Sequence, residues 1–142
     1  MKFKTLALVE EWEQVHPQAR AVATEFDLWC QEMGLGEAIV TNLLRKPAFY
    51  KENGLAPKKF SWHFVGCAID FRIRHWTAAQ QMRAQKWMAS KKSNPWYEVV
   101  TENHGTGPHF HLAYRDFSLR RRWEAAQGGK NEGPAGSTPE AA

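Results

Sequence analysis

Imidazole and carboxylate side chains fall in two short stretches of this sequence at spacings that suit a bound metal ion. The first stretch is Ser61-Trp62-His63-Phe64-Val65-Gly66-Cys67-Ala68-Ile69-Asp70, and the second is Pro108-His109-Phe110-His111. Zinc accepts histidine nitrogen and carboxylate oxygen, and a catalytic zinc site uses three protein ligands and leaves a fourth position for water. Residues two apart on a strand share a face, so His109 and His111 reach one pocket. Asp70 lies on the polar face of its own strand. Gly66 lets the chain turn and bring the His63 imidazole back toward Asp70. Any one of these residues alone reads as a solvated side chain or a satisfied core histidine. Together, three imidazoles and one carboxylate project from elements whose other faces are apolar, and that combination points to an ion.

The elements that must position them follow from periodicity. Residues 67 to 73 alternate, with Ile69, Phe71 and Ile73 on one face and Ala68, Asp70 and Arg72 on the other. Tyr97 to Glu102 reads as a second strand. His104-Gly105-Thr106-Gly107-Pro108 reads as a loop, because Gly and Pro punctuate a strand. His109 to Tyr114 alternates again, with Phe110, Leu112 and Tyr114 toward the core and His109, His111 and Ala113 away from it. Residues 4 to 14 suit a short helix. Pro17 suits the first turn of another, in which Val22, Phe26, Trp29, Cys30 and Met33 form one apolar stripe and Gly34 and Gly36 supply the stop. Ala38-Ile39-Val40 reads as a short strand leading to Arg45. Residues 46 to 60, with Pro47, Gly54 and Pro57, read mostly as loop. A helix is expected from about Trp76 to Ser90. Beyond Trp123 the composition turns to Gly, Pro, Ser, Glu and Lys, so residues 124–142 are expected to be a disordered tail behind one folded domain, 1–123. The order of elements predicts an α+β fold with a small, mainly antiparallel sheet and flanking helices.

Bulk properties narrow the classes of function. At 142 residues the chain suits one domain with one modest core, and 43% hydrophobic residues with seven Trp exclude a disordered chain. The aromatic residues serve equally a small core or a cleft for sugar or peptide. The formal charge of +4 and a pI of about 9.2 suit acidic partners, or simply solubility. Lys91-Lys92 and Arg120-Arg121-Arg122 are the tight basic runs and read as solvated surface; no nucleic-acid recognition motif accompanies them, nor Arg72 and Arg74. Two cysteines, Cys30 and Cys67, are too few for a disulfide framework or a thiolate zinc site, and Cys67 reads as a small core residue. The apolar run at the N-terminus is short for a signal peptide, and no stretch reaches membrane-spanning length. The expectation is a monomer made in the cytoplasm, without a membrane span, that needs release if its target lies outside.

The pattern Ser61-x-His63-x-x-Gly66-x-Ala68-x-Asp70, followed by His109-x-His111, resembles the paired signature of the LAS metallopeptidases. That group is named from lysostaphin, D-Ala-D-Ala peptidases and hedgehog-type domains. The closer likeness is to its D-Ala-D-Ala carboxypeptidase and phage L-alanyl-D-glutamate endolysin branch. Val15-His16-Pro17 is similar to the start of those phage enzymes. Val40-Thr41-Asn42-Leu43-Leu44-Arg45 is similar to their strand ending in arginine, and Val99-Val100-Thr101-Glu102 to the strand before the final histidines. The likeness runs from about residue 12 to 115.

The resemblance implies a hedgehog/D-Ala-D-Ala peptidase-like fold and Zn2+ held by His63, Asp70 and His111. It implies hydrolysis of peptidoglycan stem-peptide bonds, at L-Ala–D-Glu or at D-Ala-D-Ala, by a phage or prophage endolysin that acts on the wall after lysis or from a virion. His109 would move a proton or stabilise an oxyanion beside the metal. Arg45 would hold a substrate carboxylate or help polarise the scissile carbonyl, although the same fork suits a structural ion pair. Ser61, grouped with Arg45 on the substrate side, would orient a neighbouring group rather than attack. The chain departs from the pattern at the general base. Many relatives place an acid three residues before the last zinc histidine, where this chain has Pro108. Glu102 together with His109 is the favoured assignment, with His104 a further candidate. A frame that made His109 the ligand would put Thr106, which is no base, at the acid's place. Because the acid is displaced, the alternative is a zinc-containing cell-wall binding module without catalysis.

Overall fold

The computed structural model describes residues 1–104 and 107–131. The chain begins with β1 (Lys2–Phe3) and a short helix, α1 (Leu6–Trp12), capped by the Thr5 hydroxyl. His16 then caps α2 (Pro17–Glu32), its ring nitrogen accepting from the Gln18 N–H, and Pro17 occupies the first turn. One face of α2 buries Ala19, Val22, Ala23, Phe26 and Cys30. Met33 ends the expected stripe at the C-cap and is 42% exposed. Next comes β2 (Ile39–Asn42), two residues longer than expected at its far end, where it pairs with the strand that carries Asp70.

Residues 46 to 60 hold a helix as well as loop: α3 (Ala48–Glu52) fits between Pro47 and Gly54 and buries Tyr50. Its single turn is too short to show a helical period, which is why the sequence reads as loop there. A 3-10 turn (Trp62–Val65) follows and leads into β3 (Ala68–Arg72). Then α4 (Ala78–Lys92) starts after Thr77, in a capping box with Gln80. Trp76, expected inside that helix, lies before it and donates its indole N–H to the Leu35 carbonyl. The last strands, β4 (Tyr97–His104) and β5 (Gly107–Tyr114), extend closer together than expected. The centre of their predicted loop, Gly105-Thr106, lies outside the described residues, and so does 132–142 of the expected tail. Residues 124 to 131, also expected in that tail, belong instead to α5 (Phe117–Asn131), where Ala and Glu favour helix and Arg120 pairs with Glu124 one turn on.

The sheet is five-stranded in the order β1-β2-β3-β5-β4. The β1–β2 pair is parallel and the others antiparallel, so the fold is α+β with a mixed sheet. Helices α2 and α4 cover one face. Phe26 is the hub there, with ring centroids 4.9 Å from Phe71 and 5.0 Å from Trp87. The opposite face carries a smaller apolar cluster of Trp62, Cys67, Ala68 and Ala113, packed by Phe60, Val65 and Leu119. Both cysteines are fully buried, and desolvation pushes each thiol up to about 12. No helix among the described residues is long and apolar enough to cross a membrane.

Candidate metal centre

Strand register assembles the site. Asp70 on β3 is paired with His111 on β5, and His111 with Val100 on β4, so the three lie in one row across the sheet. The next row joins Arg72, His109 and Glu102. A one-residue slip of β5 would send both histidines into the apolar core, so the buried face fixes the register. His63 arrives from outside the sheet. Ser61 caps its 3-10 turn by accepting the His63 N–H, at 3.3 Å. Gly66 ends the turn in the left-handed region at φ 70°. A Cβ there would lie 3.1 Å from the Gln14 carbonyl oxygen and 3.3 Å from Leu44 Cδ2, so only glycine fits both the angle and the space.

His63, Asp70 and His111 are all buried, and one ligand atom from each lies within 4.8 Å of the others. The polar contacts sort their roles. His63 Nδ1 faces the Leu43 carbonyl, which can only accept, so this nitrogen carries the proton. Nε2 is then left as a lone pair 3.1 Å from Asp70 Oδ1. Burial pulls the His63 pKa down against the pull of Asp70, in keeping with a neutral ring. His111 sits between two carboxylates: Nδ1 is 3.0 Å from Asp70 Oδ1 and Nε2 is 2.9 Å from Glu98 Oε1. Burial opposes its charge, but the hydrogen bonds to Asp70 and Glu98 win and push it up to about 9. Asp70 is driven well below the usual carboxylate range, the burial that would raise it being outweighed by the hydrogen bond and charge of His111. Its other oxygen accepts from Arg45 Nη2 at 3.2 Å.

This donor set fits a divalent cation. The unprotonated His63 Nε2 and Asp70 Oδ1 face each other as two acceptors, a repulsive contact that a cation between them turns attractive. Replacing the proton on His111 Nδ1 would give the third ligand. Each ligand is also braced from behind, by the Leu43 carbonyl, Arg45 and Glu98, as metal-binding side chains commonly are. A buried His63–Asp70–His111 group can therefore hold a metal ion.

The remaining predicted residues fall around this group. His109 Nε2 lies 3.1 Å from Glu102 Oε2 and 3.8 Å from Asp70 Oδ2. The hydrogen bond to Glu102 raises its pKa, more than burial lowers it. Glu102, Glu98, His111 and Ser61 line an open cleft of about 410 Å³ together with Trp62 and Lys58. Arg45 lies elsewhere: it stacks over Phe49, contacts the Tyr50 hydroxyl at 3.4 Å, and lines a second hollow of about 580 Å³ with His63 and Phe64. Its Nε is buried without a hydrogen-bond partner among the described residues. The His104 side chain and Thr106 are outside the described residues. Glu98 is the residue that sequence reasoning missed. The signal is present, since alternation puts Glu98 on the same β4 face as Glu102, but Glu98 lies further upstream of His111 than the acid of the resembled pattern.

Compared with known proteins, the chain matches no family model, no curated protein and no solved structure.

Proposed function

We propose that this chain is a zinc-dependent peptidase that hydrolyses stem-peptide bonds of peptidoglycan, of the L-Ala–D-Glu endopeptidase or D-Ala-D-Ala carboxypeptidase type, acting as a phage or prophage endolysin. The observation that carries the reading is the convergence of His63, Asp70 and His111, 48 positions apart at their extremes, on one buried point beside an open cleft. The fold proposed with it is hedgehog/D-Ala-D-Ala peptidase-like. Zinc at that point would polarise the scissile carbonyl and make hydroxide available near neutral pH. The protein's own groups then do the rest. Glu98 keeps the His111 ring turned so that Nδ1 faces Asp70, and Arg45 holds the second Asp70 oxygen. Glu102, at the cleft, accepts the proton from the attacking water and returns it to the leaving amine. His109, whose pKa the hydrogen bond to Glu102 raises, would donate to the oxygen on which negative charge develops as Nε2 is released from Glu102.

A second reading, a zinc-bearing wall-binding module without turnover, is favoured by Pro108 in the place where an acid is usual. Digestion of purified peptidoglycan, followed by product masses, separates the two. The zinc-loaded protein is expected to release muropeptides, a chelator to abolish release, and Glu102→Ala to slow it by about 100-fold or more. No release by the zinc-loaded protein would sink the peptidase reading in favour of the binding module.

A further inference from the structure

Beyond the cleft and the Arg45 hollow, a third hollow of about 430 Å³ opens between the start of β4 and the start of α5. It is lined by Trp96, Tyr114 and Phe117, with Arg115, Asp116 and Arg121 among them. Trp96 is 54% exposed and Phe117 41%. Isolated exposed apolar residues need no explanation, but these two rings adjoin, at 6.2 Å between centroids, and Trp96 also stacks toward Tyr114. Nor is Trp96 on a loose loop. Its N–H donates to Asn94 Oδ1 at 3.0 Å, and its carbonyl accepts the Arg115 N–H at 2.7 Å. The backbone is fixed, and the indole is held out into solvent.

We propose that this aromatic shelf binds the glycan strand from which the stem peptide hangs, as a carbohydrate subsite of the peptidase. The proposal rests on the peptidoglycan reading above. A pyranose ring offers a flat face of C–H groups with hydroxyls around its rim. An exposed indole offers the matching apolar face, with negative π density toward those hydrogens. Arg115 and Arg121 supply donors for the rim hydroxyls and the N-acetyl carbonyl, while Asp116 is held at the edge by His16 Nε2 on Oδ2 and the Leu119 N–H on Oδ1. Position ties the shelf to the reaction. Phe117 is 5.7 Å, centroid to centroid, from Trp62, and Trp62 lines the cleft with His111, Glu98 and Glu102. The shelf and the cleft therefore adjoin through the buried Trp62 ring, and a neighbouring unit of a strand held on the shelf can present its peptide to the cleft.

The test uses the zinc-loaded full chain and Trp96→Ala, with circular dichroism to confirm that the variant is folded. Calorimetric titration with chitotetraose is expected to show saturable binding that the variant weakens by about tenfold, the upper range for loss of one aromatic stacking contact. Hydrolysis of intact peptidoglycan should slow by a similar factor, while cleavage of a free soluble stem peptide stays within about twofold. The proposal is overturned if chitotetraose does not bind the unmutated protein, or if Trp96→Ala slows both substrates equally. A homothymidine oligonucleotide binding through Trp96 where chitotetraose does not would also overturn it. Should neither substrate be cleaved while chitotetraose still binds through Trp96, the shelf stands and the peptidase reading fails.

Discussion

At the scale of single residues, the centre is a competition between a proton and a metal. His111 holds a proton up to about pH 9 because Asp70 and Glu98 face its two nitrogens. A zinc ion bound there would have to displace the proton on Nδ1, so zinc affinity is expected to rise about tenfold per pH unit from pH 6.5 and level off near 9. Titration against a competing chelator at several pH values measures this, and a flat profile would contradict the assignment of His111 as ligand. Stability of the metal-free protein follows the same group with the opposite trend. The folded pKa of His111 is raised above its ordinary 6.5. Its contribution is therefore complete below pH 6.5 and is lost as pH rises through 9, on the order of 3 kcal/mol. The melting temperature of the metal-free protein should fall across that window. Glu98→Gln removes the charge behind His111 and should weaken zinc binding by about 10- to 100-fold while the protein still folds. If zinc affinity is unchanged in that variant, Glu98 does not support the ligand.

At the scale of elements, the metal centre depends on how one tight turn meets a flat sheet. Alternation in residues 67 to 73 and 109 to 114 was enough to place Asp70 and His111 on one face, because a strand with one apolar face can be read in only one phase. His63 was harder to place. Its position depends on a 3-10 turn and on Gly66, and short turns carry no period. Helix α3 and the extension of α5 past Trp123 were illegible for related reasons. The first is a single turn between breakers, and the second is helix without an apolar stripe to announce it. Glu98 was less legible for another reason: the two strands flanking the His104–Pro108 loop read as able to pair antiparallel, as they do, but the register that sets Glu98 beside His111 depends on that loop and is not written in either strand. Gly66→Ala tests the turn. The added methyl must enter a left-handed angle and press on the Gln14 carbonyl and Leu44. A loss of roughly 1–3 kcal/mol is expected in thermal or denaturant unfolding. Zinc affinity should drop as well, because the turn aims His63. A variant as stable and as tight-binding as the parent would show that the turn tolerates another geometry.

At the scale of the whole molecule, the two faces of the sheet divide the work. Packing is concentrated where α2 and α4 cover the sheet, around Phe26, whereas the polar rows and the cleft occupy the other side. The coarse class, α+β with a small sheet, was legible because helix and strand periods separate cleanly along the chain. The sheet order was not, since β5 inserts between β3 and β4 and places the last strand but one in sequence at the edge. That insertion is what brings Asp70, His111 and Glu98 together, each from a different strand.

The buried thiols have a practical consequence. Cys67 lies three residues from Asp70, yet it has no exposed surface and, like Cys30, stays protonated far above neutral pH. Alkylating reagents act on exposed thiolate. Iodoacetamide at pH 7.5 should therefore leave the native protein unlabelled, and mass spectrometry should find both cysteines modified only after unfolding. The release of muropeptides proposed for this protein would then survive the reagent, so alkylation can silence cysteine hydrolases in a lysate used to test that proposal.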